Sequence, residues 1–547
     1  MAQFPGTRGD LLAAATGGDR TGALDPVDPD LVDRAGRQSP GATRRDRWRR
    51  HRGSAAVTAS PSRTDPVTDT VAGRRLAILN WKDPWHPDAG GAEAYAWRVA
   101  RDLATTGAEV TFVTARGPGQ SAEETRDGIR VVRRGGRWGV YPRVLGWLLR
   151  RRRRFDAVID CQNGIPFFSP LVLPRGVPVL CVIHHVHDRQ FRLYFGPVVG
   201  RFGAWLEGPV ARRVYRDGVT VAVSPSTARA VRDRLRWSAP VVVVPNGADA
   251  SPGAARERRA RDPRPRLVCV GRVTPHKRVN LLLDAVDRLR VRRPDLCLDI
   301  VGGGPDVETI RRCAANRGLA DLVTVHGHLP AVRRDALVDA AWLHVSASWG
   351  EGWGLVVMEA AAAGLPTVAF DVEGLRDAVR PGRTGWLVTE ADDPAGELAE
   401  GLDRALDWLS VPGNAERMAA ECRRWSGSFR WSGTGERVRD VLGDLLTPQA
   451  LPGRARRAAD RRVDVPPDTC LLVRTDQPDD VLARIAPLLP RSRHTAVGNG
   501  TLWILVPAAD PAAVRAVLTG AGVPASAVTE RAASVEELLT GAPEWQC

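Results

Sequence analysis

The 547-residue sequence predicts an α/β protein with two doubly wound, Rossmann-like domains in tandem. Short apolar runs alternate with helical stretches over residues 73–250 and again over 266–446. That is the pattern of parallel strands buried on both faces and joined by crossover helices. Between the two series, residues 248–265 turn to Ser, Pro, Gly, Ala and Arg, the composition of a linker. Residues 1–72 lack apolar periodicity, are rich in Gly, Pro, Thr, Asp and Arg, and read as a disordered tail with a basic knot at 44–52.

The elements follow in order. Apolar RRLAILNW (74–81) reads as the first buried strand, and GAEAYAWRVARDLATTG as the helix after it, closed by Gly107. Strand 109–115 completes a βαβ unit. A strand at 129–132, a helix at 142–153, strands at 156–161 and 178–183, a long helix near 198–216, a strand at 218–224, a helix at 226–236 and a strand at 241–247 fill the first domain. The second opens with strand 266–272 and alternates through strands 297–302, 323–327, 342–348, 366–370 and 385–388, with helices at 279–293, 306–318, 331–341 and 354–363 between them. Helices 394–409 and 414–425 close it. After a second linker at 447–468, residues 469–547 show a β-α-β-β-α-β order, which predicts a small α+β, ferredoxin-like unit.

Composition excludes several classes. No run of 18 apolar residues is free of charge or proline, which argues against a transmembrane helix. The opening residues lack a secretory pattern, and the eight cysteines form no CxxC pair, so reduced thiols and a cytoplasmic protein are expected. The net charge is +15, and residues 73–454 carry 57 cationic and 43 anionic side chains. This field suits anionic ligands such as nucleotide diphosphates, or the inner face of an anionic membrane. Basic faces interleaved with aromatics are absent, and nucleic acid is not expected as a partner. Only two of the 78 cations are lysines, Lys82 and Lys277.

Three motifs carry chemistry. Gly90-Gly91-Ala92-Glu93 lies between the first strand and its helix, where glycines either bring a phosphate to backbone N–H groups or make a tight turn. Val270-Gly271-Arg272 followed by Thr274-Pro275-His276-Lys277 puts two cations in the loop that opens the second domain, a fork and a point charge suited to a diphosphate. Glu351-Gly352-Trp353-Gly354-Leu355-Val356-Val357-Met358-Glu359 brings two carboxylates and a helix start to the same cleft, with Glu359 able to accept hydrogen bonds from ribose hydroxyls. The run His184-His185-Val186-His187 ends a strand, but no fourth ligand is spaced near it, so no metal site is expected. GxGxxG does not occur after the first strand, which argues against a nicotinamide dehydrogenase.

With VPNG (244–247), VGGGPD (301–306) and the closing FRWSGTGERVRDVL (429–442), these motifs resemble the family 4 glycosyltransferases, retaining enzymes of the GT-B fold. The likeness covers about 76–446. It implies that Arg272 and Lys277 hold the donor diphosphate and stabilise the departing nucleotide, and that Gly90 and Gly91 approach the same phosphates. Glu351 would face the donor sugar, Glu359 would bind the ribose, and the backbone of Gly354, Leu355 and Val356 would line the phosphate and sugar sites. His328, in His326-Gly327-His328-Leu329, would lie near the base. His184 would stand near the donor sugar, with His185 the alternative. The family needs no essential metal and no cofactor beyond its nucleotide-diphosphate-sugar donor, and the acceptor would offer a hydroxyl. The competing reading is an inactive GT-B scaffold partnering another transferase, although none of Arg272, Lys277, Glu351 and Glu359 is missing. The run RVLGWLLRRRRRF (143–155) is either a basic helix that touches an anionic membrane or one that packs its apolar side inward.

Overall fold

A computed structural model describes residues 70–137, 139–248, 261–447, 469–498, 500–506 and 511–543. Most of the expected tail and of both linkers lies outside the described residues.

The first sheet has eight strands: β1 (Arg75–Leu79), β2 (Glu109–Thr114), β3 (Glu123–Arg126), β4 (Ile129–Arg133), β5 (Ala157–Gln162), β6 (Val179–Ile183), β7 (Val219–Ala222) and β8 (Val241–Val243). Their spatial order is β3-β4-β2-β1-β5-β6-β7-β8. Every pairing is parallel except that of β3 with β4. The second sheet contains β9 (Arg266–Val270), β10 (Cys297–Val301), β11 (Val323–Gly327), β12 (Leu343–Ser346), β13 (Thr367–Phe370) and β14 (Gly385–Val388), in the order β11-β10-β9-β12-β13-β14 and parallel throughout. All residues of β5, β6 and β10 are buried, so β6 (VLCVI) reads as an unbroken apolar run, while β5 and β10 are apolar runs interrupted by the buried polar side chains Asp160, Gln162 and Asp299.

In each sheet the winding reverses beside the first strand. β1 lies between β2 and β5, and β9 between β10 and β12. Crevices open at the carboxyl ends of strands at such points. The Gly90-Gly91 loop follows β1, the Arg272–Lys277 loop follows β9, and the Glu351 loop follows β12 beside it.

The last helix of this part, Trp431–Leu446, returns to the first sheet's helices. A Cβ on Gly247 would stand 2.3 Å from the Trp431 backbone nitrogen, so that position needs glycine, and one on Gly435 would stand 2.2 Å from the Asp102 carboxyl carbon and push that side chain aside. Thr434 Oγ1 donates to the Pro245 carbonyl at 2.8 Å, and the Ala248 amide to Phe429 at 2.8 Å.

The remaining strands, β15 (Thr469–Arg474), β16 (His494–Gly498), β17 (Thr501–Leu505) and β18 (Val528–Ala532), form an antiparallel sheet in the order β16-β17-β15-β18. It docks through Arg437, which donates to the Leu539 carbonyl at 2.7 Å, and through Asp444, which accepts from the Arg491 and Ser492 amides.

Some elements depart from the sequence reading. β3 (EETR) is polar and pairs only at the sheet edge, so no apolar run announces it. The long helix begins at Asp188, not near 198, because its kink at Gly196-Pro197 reads as a boundary. The basic run packs its apolar side: in the helix Val140–Leu149, Val144, Trp147 and Leu148 are buried.

Candidate active site in the cleft between the two parallel sheets

The second sheet supplies most of the site. After β9, the loop 271–277 lies against the loop that follows β10. A Cβ on Gly302 would stand 1.8 Å from the Gly271 oxygen, and one on Gly304 2.2 Å from the Val273 oxygen. VGGGPD is therefore glycine-rich for contact with its neighbour loop. Arg272, carried by this pair of loops, is exposed and makes no hydrogen bond or ion pair among the described residues. Lys277 instead ion-pairs with Glu351. Burial would raise the Glu351 pKa, but the Lys277 charge and hydrogen bond outweigh it, with Ser348 and His276 adding, and hold the carboxyl below its ordinary range.

Gly354 caps the helix Leu355–Ala362 with φ at 81°, a left-handed conformation natural to glycine. Its carbonyl accepts the Met358 amide at 3.1 Å, and no side chain caps the helix start. The amides of Leu355, Val356 and Val357 are left open at the positive end of the helix, the arrangement that binds phosphate. Glu359, one turn further, is exposed and has no hydrogen-bond or ion-pair partner among the described residues. The protein around its carboxyl raises its pKa; Arg334 opposes the rise and Asp335 adds to it. His328 is exposed beside Gly303, whereas its neighbour His326 is engaged by Asp299 at 2.7 Å.

The first sheet faces these groups. A Cβ on Gly91 would stand 3.4 Å from Leu355 Cδ2, so the two glycine-bearing helix starts meet across the cleft. The Gly90 amide is already taken by the Glu93 carboxylate at 2.7 Å. Lys82 is buried, donates to the Asp88 carbonyl at 3.1 Å and sits 4.4 Å from the centre of the Trp81 ring. Burial lowers its pKa against the pull of Glu93 and Asp88, and Arg272 pushes in the same direction as burial, so the two cations share one field.

The two histidines at the end of β6 separate. His184 is buried with Nε2 unpartnered, and its ring meets the Tyr95 ring edge-on at 5.1 Å. Burial, with His187 adding, pushes its pKa down to about 3, so it is neutral at physiological pH. Its backbone approaches the second sheet's loop so closely that a Cβ on Gly352 would stand 2.0 Å from the His184 oxygen. His185 lies 3.6 Å from where a Cβ on Gly350 would be, within the field of Glu351. A pocket of about 980 Å³ opens beside it, between Leu193, Arg234, Trp349, Gly350 and Glu373.

Sequence reasoning missed what ties the two sides together here. Arg234 donates to both Glu373 oxygens at 2.8 Å and pairs with Asp188, and Tyr194 Oη meets His276 Nδ1 at 2.6 Å. Each partner is an ordinary surface residue type, and only Asp188, adjoining the histidine run, carried a positional hint. Among the described residues, no three His, Cys, Asp or Glu side chains converge as metal ligands.

Two parallel, doubly wound sheets facing across a cleft with an unclaimed arginine, open helix amides and a free carboxylate define a GT-B glycosyltransferase. The chain belongs to glycosyltransferase family 4. The family model of that name matches residues 89–252, and the model "Glycosyl transferases group 1" matches residues 254–423. It is 32% identical over 393 residues to a GDP-mannose-dependent alpha-(1-6)-phosphatidylinositol monomannoside mannosyltransferase of Mycolicibacterium smegmatis, covering 65% of this chain and 95% of the relative. It is 30% identical over 409 residues to a D-inositol 3-phosphate glycosyltransferase of Thermobispora bispora, covering 66% and 92%. In fold it is similar to the sucrose-phosphate synthase of Thermosynechococcus elongatus, with a TM-score of 0.57 and 20% identity over 68% of this chain and 99% of that one. The protein is thus an enzyme that moves a sugar from a nucleotide-sugar donor to an acceptor.

Proposed function

We propose that the enzyme transfers a hexose with retention of anomeric configuration, without a metal, from a nucleotide-diphosphate sugar to a hydroxyl. The observation that carries the reading is the set of open groups on the second sheet: Arg272 unpaired, the Leu355 and Val356 amides uncapped, and Glu359 without a partner. Arg272 and the helix start take the diphosphate, and Gly91 closes over it. Lys277, held by Glu351, sits where negative charge develops on the departing nucleotide. These cationic groups and oriented amides supply the stabilisation a divalent ion would otherwise give. Glu351 meets the sugar hydroxyls, Glu359 the ribose and His328 the base edge. His184, neutral, offers its free nitrogen near the sugar. The leaving phosphate deprotonates the acceptor on the same face, and no side chain is assigned as a covalent nucleophile.

Among the described residues the cysteines form no disulfide, which suits a reducing, cytoplasmic compartment, and no helix is long and apolar enough to cross a membrane. A hydroxyl acceptor presented at the inner membrane face, met by peripheral contact, fits the basic core. A thermal-shift screen against GDP, UDP, ADP and their sugars tests donor recognition, with GDP-mannose first because the mycobacterial relative is named for it. Stabilisation by one diphosphate series and transfer from its sugar support the reading. Silence toward all of them would overturn it.

A further inference from the structure

The helix Asp188–Trp205 turns its hydrophobic side to water. Leu193, Tyr194, Val198, Val199, Phe202 and Trp205 are all between 42% and 78% exposed. The cause lies in its own sequence. Gly196 takes φ 70° and ψ 179° before Pro197, which folds the second limb back on the first. Gly200 and Gly203 make the contact: added Cβ atoms would stand 2.8 Å from the Phe191 oxygen and 2.9 Å from its ring. With glycines spent on the inner face, the spacing of Val198, Val199, Phe202 and Trp205 puts them together on the outer face. The Phe202 and Trp205 rings stack with centroids 5.7 Å apart, and other large exposed apolar groups, such as Leu171, Val291 and Val332, lie far from them in sequence.

Charge selects the occupant. Between Asp188 and Asp217 the only acid is Glu207, which is fully buried and accepts the His187 amide at 2.7 Å. Arg189, Arg192, Arg201, Arg213 and Arg216 are exposed along the same stretch. Carboxylates do line the adjoining pocket, but Asp188 and Glu373 pair with Arg234 and Glu390 with Arg278. Along the hairpin itself the exposed charges beside the apolar ridge are arginines, which matches the interface of an anionic bilayer, where rings enter the acyl boundary and guanidinium groups meet phosphates. A second copy of the chain would bring the same arginines against themselves.

We propose that this hairpin, and not the basic run at 143–155, docks the enzyme on an anionic membrane. Arg189, Arg192 and Leu193 also line the interdomain pocket, so docking seats the pocket mouth at headgroup level. Resting on the glycosyltransfer reading, this makes the hydroxyl acceptor a membrane-borne amphiphile. Tyr194, through its bond to His276 beside Lys277, links the docked limb to the donor loop.

Co-sedimentation with vesicles of phosphatidylcholine alone, or with phosphatidylglycerol added, tests the docking without needing catalysis. The full-length chain should bind the mixed vesicles, with binding falling as salt rises. The double variant Phe202→Ser/Trp205→Ser, exposed positions whose change spares the fold, should lose about tenfold or more in partitioning. Arg189→Ala/Arg192→Ala/Arg201→Ala should lose the preference for anionic over neutral vesicles. Failure of the native chain to bind, or equal binding by the serine variant, overturns the proposal. So does light scattering that shows a dimer dissolved by those serines, which would assign the ridge to self-association. The serine variant should keep its thermal shift with nucleoside diphosphate, and Glu351→Gln should keep vesicle binding. Each reading therefore fails separately.

Discussion

The two glycine-bearing helix starts that meet in the cleft differ in how their polar groups are used. At Gly90-Gly91 the chain satisfies itself: Glu93 takes the Gly90 amide, and the nearby ammonium of Lys82 is held by the Asp88 carbonyl and the Trp81 ring. At Gly354 the amides of Leu355 and Val356 are uncapped, with Arg272 and Glu359 unclaimed nearby. Sequence makes the two loops look alike, since both place glycine before a helix. On the proposed reading, donor affinity belongs to the second sheet, where the polar groups are left open, and the first sheet closes over a ligand already held.

The sharpest way to break the comparison is the Lys277–Glu351 pair. Glu351→Gln keeps the shape and removes the charge that positions Lys277. We expect kcat to fall about 100- to 1,000-fold, the scale for a lost transition-state contact, with the melting temperature little changed. Steady-state kinetics with a thermal melt check it, and near-normal turnover would remove the pair from the mechanism.

Arg272→Ala and Glu359→Gln come next. Each removes a charged hydrogen-bonding group from the open side, worth about 1.5–3 kcal/mol, so donor affinity should fall by about tenfold to a hundredfold. Titration calorimetry with the preferred nucleoside diphosphate reads it. Arg272→Ala should act on the diphosphate alone, and Glu359→Gln only where a ribose is present, so inorganic pyrophosphate separates them.

Acid stability probes both sides at once. His184 on the first sheet has its pKa pushed down to about 3, and His344 on the second to about 4, in each case first by burial. Both stay neutral in the folded state, while the unfolded chain protonates them near pH 6.5. The unfolded state therefore binds more protons below that point, and stability falls as pH drops from about 6.5 toward 4 and then 3. Near pH 5 each histidine costs about 2 kcal/mol. Melts as a function of pH should steepen there, and His344→Asn should flatten the curve.

The smallest effect is expected at Lys82. Its charge is committed to Asp88 and Trp81, so Lys82→Met should change diphosphate affinity by less than about fivefold. A larger loss would show that the first sheet also grips the donor.

Much of this arrangement was legible in residue order. Buried parallel strands announce themselves as apolar runs, and the pair Glu351 and Glu359 around Gly-Trp-Gly, together with GGAE, VPNG, VGRVTPHK and VGGGPD, carried the family resemblance. Other features depended on which partner a group finds in three dimensions. Lys82 and Lys277 are the only lysines and the sequence places only Lys277 in a motif; Lys277 reaches a carboxylate 74 residues away, while Lys82 bonds six residues along its own loop. Gly90 looked like a phosphate amide until Glu93 was found on it. β3 is polar, and Gly196-Pro197 hid the first limb of the hairpin, because local signals mark a break without saying that helix resumes on both sides.

The most direct test of the central claim is the ratio of two diphosphate affinities measured on the same day by calorimetry. If the second sheet holds the donor, Arg272→Ala should weaken binding by about tenfold or more, and Lys82→Met should leave it within a few-fold of native. A loss confined to Lys82→Met, with Arg272→Ala binding as the native chain does, would contradict the account.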